Sequence, residues 1–568
     1  MNSVLSLFLV TPILFPSVST SPVNGSIVVE VVKDEESEKA APDHRRGGET
    51  PRSVEGTSGR FLDTRLTFSW GDDNLFAGPG QTNPNSPRPD FGERQGDEQF
   101  FDNLNSRDTG DETRSTLVIH RADLGSHIPR LLTEGALVAR FDLYADADTG
   151  KQGQLFKDDG SFLGLRYYLR DTGNCTAMQL LARTEGCDLA FAYITAFPFD
   201  TNRFRVGYTY DLSWGDPRIF PGRSKAVPGI KLGLRQNRWS LWAGAKSARL
   251  LDEEVNEIEA RYGYLAGGSL SPAKVVTLQA SGGHFDMGTN PNPAVRGQPL
   301  ATWGYSARAV YHLGTSAGSS ADFALMRDNP LHRIGGYRYR QDHSGQSFRV
   351  ALETSQLIQL LEDPDRAGQL SEQRSVAYAL TATVRLGRLY LDGFAFHRDL
   401  GFLLRNVPSF VPFQALAGAA DGRPERFLAM GAAYALPKSR LTPTLMLGIQ
   451  DPAQMIGGIP ERLRSIGEAD LPDAGGRRAV VVRGEGDFDI LPLNSAGEVI
   501  NPVPILAARI ALRWDLSKLM QTTFEVNYTH DENQTDLVDG GRGISERVFI
   551  DRQLRQRVGV GVITQMRF

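Results

Sequence analysis

Only two cysteines occur in 568 residues, which excludes a disulfide-rich scaffold and any four-cysteine zinc site. No apolar run reaches the roughly 18 residues that a membrane helix needs, and the mean hydropathy is −0.30, so the chain does not cross a membrane with helices. An excess of positive charge is also missing. Against 62 Lys+Arg stand 67 Asp+Glu, a net charge of −5, which removes the global electrostatic case for nucleic-acid binding. Catalytic signatures are equally scarce. The nine histidines form no HExxH pair, no CxxC accompanies them, and no phosphate-cradling Gly-rich loop is followed by Lys-Ser/Thr. Gly314-Thr315-Ser316-Ala317-Gly318 has nucleophile-elbow spacing, but that motif needs a strand-to-helix turn and here sits in a Gly/Ser-rich stretch between two alternating segments. It reads as a turn, and no catalytic residue, metal site or cofactor is assigned. What these absences leave open is a β-rich exported protein whose apolar surface escapes hydropathy averages because it alternates residue by residue.

What is present is alternation. In Arg203 to Trp214, Phe204, Val206, Tyr208, Tyr210, Leu212 and Trp214 share one face, while Arg203, Arg205, Gly207, Thr209, Asp211 and Ser213 share the other. Leu506, Ala508, Ile510, Leu512, Trp514 and Leu516 oppose Ala507, Arg509, Ala511, Arg513 and Asp515. Leu137, Ala139, Phe141 and Leu143 oppose Arg140 and Asp142, and Phe524, Val526 and Tyr528 oppose Glu525, Asn527 and Thr529. These stretches match the roughly 9–11 residues of a tilted membrane strand rather than the 5–6 usual in soluble sheets. All six Trp (70, 214, 239, 242, 303 and 514) fall in or beside such stretches, as aromatic girdles at two membrane interfaces require. Full charges of both signs crowd the polar faces; a packed interior does not tolerate that number, whereas a water-filled lumen does.

Turn and loop signals allow a strand count. Short turns alternate with long Gly/Pro/Asp-rich connections near 71–133, 171–186, 214–227, 285–300, 328–373, 399–424, 450–504 and 531–546. The pairing predicts an antiparallel up-and-down transmembrane β-barrel of about 18 strands, with 16 and 20 also compatible, short turns periplasmic and long loops extracellular. Its strands include 61–70, 134–145, 161–170, 187–196, 203–213, 301–312, 319–327 and 556–568. Thr113 to His120, Phe348 to Leu357 and Arg478 to Ile490 are strand-like too, but fall inside long connections.

The chain ends in Arg557 to Phe568 (RVGVGVITQMRF), with Val558, Val560, Val562, Thr564, Met566 and the terminal Phe568 on one face. This resembles the C-terminal strand of bacterial outer-membrane β-barrel proteins. The resemblance implies recognition by the outer-membrane assembly machinery through Tyr528, Val558, Val560, Val562, Met566 and Phe568. It also implies residence in the outer membrane, beside lipid and lipopolysaccharide. No narrower family motif is visible. The chain then reads as a signal peptide over residues 1–23, a disordered periplasmic segment over 24–59, and the barrel over 60–568. The apolar Val4 to Phe15 and the small residues Ser17-Val18-Ser19 carry the signal, although no cation precedes Lys33. The second segment mixes charge, Pro, Gly and Ser without apolar periodicity.

A barrel of this size is wide enough for an aqueous channel. The inward positions predicted to line it are Arg140, Asp142, Arg203, Arg205, Asp211, Lys246, Glu257, Glu259, Arg261, Arg308, Arg385, Arg509, Arg513, Asp515, Glu525, Arg557 and Arg567. Arginines outnumber carboxylates among them, which points to polar and preferentially anionic solutes. The reading is a porin-like channel or exporter passing small polar solutes or polysaccharide, and not an enzyme. Its alternative is a non-transporting surface barrel whose long loops have a structural, adhesive or assembly role. Phe348 to Glu362, read as a short helix, is the first candidate for a segment folding into the lumen. The acidic sets in the first and last long loops, Asp72 to Asp102 and Asp531 to Asp539, lack calcium-loop spacing and read as solvated. Cys175 and Cys187 flank one loop in an oxidising compartment, where a disulfide between them is expected. Oligomeric state has no signal in the pattern.

A closed barrel of this kind should resist detergent at room temperature. Unheated protein in dodecyl sulfate gels should run faster than boiled protein; identical mobility would sink the barrel reading.

Overall fold

The computed structural model describes residues 60–72, 75, 112–142, 156–158, 161–182, 186–199, 204, 206–207, 227–252, 257–289, 293–314, 345–363, 366, 368–402, 421–457, 478–484, 487–517, 519–539, 545–549 and 555–567. Residues 1–55 are a unit apart from 56–568. The expected signal sequence and the polar segment after it lie outside the described residues.

Eighteen long strands make the wall: β1 (Arg60–Asp72), β2 (Glu112–Leu124), β3 (Leu131–Asp142), β4 (Phe162–Tyr168), β5 (Phe191–Phe197), β6 (Gly229–Arg235), β7 (Trp239–Asp252), β8 (Glu257–Ala273) and β9 (Val276–Thr289). They continue as β10 (Pro299–Leu313), β11 (Gln346–Glu362), β12 (Leu370–Leu386), β13 (Leu389–Arg398), β14 (Glu425–Tyr434), β15 (Leu441–Asp451), β16 (Ile505–Asp515), β17 (Met520–His530) and β18 (Gln556–Arg567). A short segment, Phe156–Asp158, extends β4 along β3, so that the sheet contains nineteen pieces but eighteen strand positions. Each strand pairs antiparallel with its predecessor. The last pairs with the first, Leu66 opposite Met566 and Trp70 opposite Val562, which closes the sheet. Closure leaves no edge strand, the condition for placing a sheet in hydrocarbon.

Side-chain burial runs inside out. On β15, Leu445, Leu447 and Ile449 are 46%, 54% and 43% exposed, while Thr444 and Gln450 flanking them and Met446 between them are 7%, 3% and 1% exposed. Among the described residues no second sheet covers the wall, so the exposed row faces lipid and the buried row faces the lumen. Exposed aromatics gather toward the two ends of the strands. Trp70, Tyr262, Trp303 and Tyr528 lie toward one rim, and Tyr167, Tyr311, Phe348, Tyr434 and Trp514 toward the other. The molecule is a porin-like barrel of outer-membrane type, and it resides where such barrels reside, in an outer membrane. Trp242 departs from the girdle reading: it points inward, onto Lys231 and Phe204.

Alternating strand direction sorts the connections between two rims. The rim that carries the start of β1 and the end of β18 holds the short turns 125–130, 236–238, 274–275, 387–388, 435–440 and 516–519. Gly387, at φ +61°, heads the two-residue hairpin between the paired Leu386 and Leu389, the position at which such turns need positive φ. The opposite rim carries most of the long connections. In two of these the chain folds on itself. Asp421–Arg423, Ala453–Gly457, Arg478–Gly484 and Asp487–Ile490 form a four-stranded sheet, and Thr535–Asp539 pairs with Ser545–Phe549.

The strand number agrees with the sequence reading, but two members differ. Residues 112–124 are strand β2, not loop, and residues 346–362 are strand β11, not a lumenal helix. No strand at 203–213 enters the ring: β5 pairs directly with β6. Of that stretch only Phe204, Val206 and Gly207 are described, and Phe204 and Val206 are fully buried in the lumen. Residues 319–327 lie outside the described residues, while β10 pairs directly with β11. Each swap reverses the strands around it. The connection 169–190, expected on the long-loop rim, therefore stands on the rim of short turns, as does 314–345.

Charge on the lipid side should be costly and on the lumen side mild. Leu445→Arg should destabilise the refolded barrel by about 2–4 kcal/mol in bilayer-mimetic unfolding titrations, as expected near mid-bilayer, with Thr444→Arg well below that. Equal losses would contradict the assigned faces.

Candidate functional site

The lumen is polar where strands meet in register. At the long-loop end, Arg398 donates to Glu425 at 2.6 Å, and Gln450 donates to the other carboxylate oxygen at 2.7 Å. At mid-height Arg509 and Glu525, both nearly fully buried, form an ion pair across β16 and β17. Toward the short-turn end Arg513 donates to Asp515 at 3.1 Å, and Gln521 to Gln565 at 2.6 Å. Along β10 and β11, Gln359 donates to Thr302 (2.5 Å), Ser306 to Glu353 (3.1 Å), and Ser355 to Ser306 (3.2 Å). Arg308 reaches back to Gln279 at 3.1 Å. On β3 and β4, Arg166 donates to Glu134 at 2.7 Å with both side chains almost without solvent contact. Cross-strand pairs of this kind stiffen the wall while keeping fixed charge next to the lumen.

Opposite this polar wall stands an apolar ingrowth. Phe204, from the connection between β5 and β6, stacks on Phe197 at 5.7 Å and meets the edge of Trp242 at 5.7 Å. Two lysines close on its ring from neighbouring strands, Lys231 Nζ and Lys246 Nζ each 5.5 Å from the centroid. Lys231 also lies 4.4 Å over Trp242. Desolvated cation–π contacts of this kind are worth up to about 2 kcal/mol each. Gly244 makes the room, since a Cβ there would come within 2.6 Å of the Phe204 ring. Val206 beside it fills space over Gly283, and the Gly207 N–H donates to Ser281 Oγ at 3.2 Å. Phe402, after β13, is buried in the same apolar cluster with Leu357, Ala377 and Ala379. Among the described residues, Phe204 and Val206 of the β5–β6 connection and Phe402 after β13 fill part of the lumen.

Of the residues expected to line the lumen, Lys246, Arg308, Arg509, Asp515, Glu525 and Arg557 are buried on the inward face. Arg513 lies there with Asp515, and Arg261 sits between Glu259 (2.6 Å) and Asp286 (3.7 Å). Arg385 stands near the short-turn rim, donating to the Gly387 carbonyl at 3.3 Å and lying 5.5 Å over Tyr390. Arg140, Asp142, Glu257 and Arg567 belong to strands, but their side chains lie outside the described residues, as do Arg203, Arg205, Asp211 and the terminal Phe568. Tyr528, Val558, Val560, Val562 and Met566 alternate with the inward set on the last two strands. Cys175 and Cys187 form a disulfide with Cα atoms 5.9 Å apart. The sequence reading missed Glu134, Arg166 and Lys231. All three sit at inward alternate positions of β3, β4 and β6, so periodicity alone was able to find them.

No family model and no curated protein matches this chain. Among solved structures it is similar to OccK3 (OpdO) of Pseudomonas aeruginosa, with 9% identity over 90% of this chain and 95% of that one, at a TM-score of 0.38. It is similar also to the outer membrane protein OpdK of Pseudomonas aeruginosa (10%, 90% and 98%, TM-score 0.39) and to OccAB2 of Acinetobacter baumannii (8%, 90% and 98%, TM-score 0.40). Likeness at this level adds nothing to what the strand pairing itself establishes.

Removing one member of a buried pair leaves the other charge stranded. Glu525→Ala should cost about 3–5 kcal/mol in equilibrium unfolding, whereas the double change Arg509→Met with Glu525→Leu should recover most of that loss. A double variant as unstable as the single one would show that the pair does not act as a unit.

Proposed function

We propose that this protein is an outer-membrane channel through which small polar solutes, preferentially anionic ones, pass along the polar wall of the lumen. The observation that carries the reading is the inside-out wall itself: a lipid-facing apolar exterior around an interior lined with fixed charge and hydrogen-bonding groups. Such rings of charge select solutes by sign and hydrogen bonding. The preference for anions rests on the balance of inward charge among the described residues: Arg166, Lys231, Lys246, Arg308, Arg349, Arg398, Arg509, Arg513 and Arg557 outnumber Glu134, Glu353, Asp392, Glu425, Asp515 and Glu525. The short-turn rim is assigned to the periplasm and the long-loop rim to the exterior, where lipopolysaccharide is the neighbour. The outward residues of β18 are assigned to recognition by the assembly machinery.

A second reading, a surface barrel acting through its loops, is favoured by one feature. The connections after β15 and β17 are tied together by a buried clasp. Asn533 exchanges hydrogen bonds with the backbone of Val503 at 2.8 Å, and Thr535 donates to Asp489 at 2.7 Å. That clasp gives the long-loop rim a built surface.

Conductance decides between them. The refolded protein in planar bilayers should open stable channels whose reversal potential in a salt gradient lies on the anion side, and Phe204→Ala should raise the unit conductance. A closed barrel with loop-dependent binding would support the second reading, and cation preference would overturn the assigned selectivity.

A further inference from the structure

Among the described residues, the β4–β5 connection alone on its rim carries a helix and a disulfide. It starts from Tyr168, ends at Phe191, and between them carries α1 (Ala177–Ala182) and the Cys175–Cys187 disulfide. Its helix is specified locally: the Thr176 N–H donates to Gln179 Oε1 at 2.8 Å and the Gln179 N–H to Thr176 Oγ1 at 3.2 Å, a reciprocal capping box. The helix does not lie on the outside of the rim. Ala177, Leu180 and Leu181 are buried at 0%, 1% and 3% exposure, in one cluster with Ala122, Leu132, Tyr168 and Phe191. Those four partners stand at inward positions of β2, β3, β4 and β5, each near its short-turn end. The helix is therefore seated inside the mouth. Above it the wall continues with the Arg166–Glu134 pair, whose guanidinium lies 5.2 Å over the Phe191 ring.

We propose that this stapled helix is a plug that sets the size limit of the channel at its short-turn mouth, with Leu180 and Leu181 as its sealing residues and the disulfide as its tether. The proposal rests on the channel reading above and deepens it. An eighteen-strand ring with strands about 4.8 Å apart and tilted by about 40° measures roughly 35 Å between opposite backbones. A helix with its side chains is about 10–12 Å thick, close to a third of that width. Phe204 and Val206 enter the same side of the lumen from the other rim. The two ingrowths stand in series at different heights of the lumen. A helix of six residues has no stability of its own. Burial of its leucines and closure of the twelve-residue span by the disulfide are what hold it in the mouth.

The test measures unit conductance in planar bilayers together with the exclusion size for saccharides of increasing length in liposome-swelling assays. It compares the full chain, Cys175→Ser with Cys187→Ser, and Leu180→Ser with Leu181→Ser, each shown to be folded by heat-dependent gel mobility. A further arm treats the folded wild-type protein with dithiothreitol, whose two thiols pass two electrons and two protons to the disulfide and become a cyclic disulfide; thiol labelling then confirms the opened staple. The expected result is a larger exclusion size and a unit conductance higher by about a tenth, the share of a roughly 35 Å ring's cross-section that a helix about 11 Å thick occupies. A silent wild-type protein whose unstapled or serine variant conducts supports the plug as a full seal. Wild-type conductance and exclusion size retained after confirmed opening of the staple and in the leucine variant would overturn the plug and leave the channel standing. Silence of every form would overturn the channel reading, and the plug with it.

Discussion

A strand placed in hydrocarbon has no water to satisfy its amides, so every N–H and C=O along it must find a neighbouring strand. Here that requirement is met by the pairing of β1 with β18, chain start to chain end, over Arg65 to Asp72 and Val560 to Arg567. The rest follows from closure. Two faces result, one onto lipid and one onto the lumen, and a period of two assigns each residue to one of them. Leu445 and Ile510 sit outside as neighbours on paired strands, while Arg509 and Glu525 one position away sit inside. The apolar surface is thus displayed and the charge hidden, the reverse of a soluble sheet.

Inside, the wall is uneven in a way that bears on transport. Along β13 to β18 the inward charges are tied across strands at two heights, and within β16 at a third, which fixes their positions without screening them by bulk water. Along β2 to β9 the inward face is apolar at many positions, because chain returning from the two rims packs against it. Phe204 and Val206 come from one rim and α1 from the other. The free width of a lumen built this way is set by connections as well as by strand number.

The period of the strands was readable from the order of residues, and it located sixteen of the eighteen wall positions, because a wall strand facing lipid and water has to alternate. The two errors share one cause. β2 carries Val118 and β11 carries Leu357 on the inward face, where they pack into the apolar cluster, and Leu361 is buried on the same face of β11, so the apolar–polar contrast fades. In Phe348 to Glu362 the remaining pattern imitates a helix. Conversely, Arg203 to Trp214 alternates more cleanly than either, yet Phe204 and Val206 are apolar because they are sunk into the lumen rather than turned to lipid. Alternation reports that a segment has two unlike surroundings; it does not say which surroundings they are.

By itself the order of residues determined the class of the molecule: a barrel, exported, near eighteen strands, with polar faces inward, because those properties depend on local period and on composition. The tertiary structure alone decided which rim each connection occupies, that the cysteines staple a helix within the mouth of short turns, and that Glu134 finds Arg166 while Glu525 finds Arg509. These outcomes depend on strand direction and register. One missed strand reverses the direction of those that follow it, and no local signal in the chain carries that count.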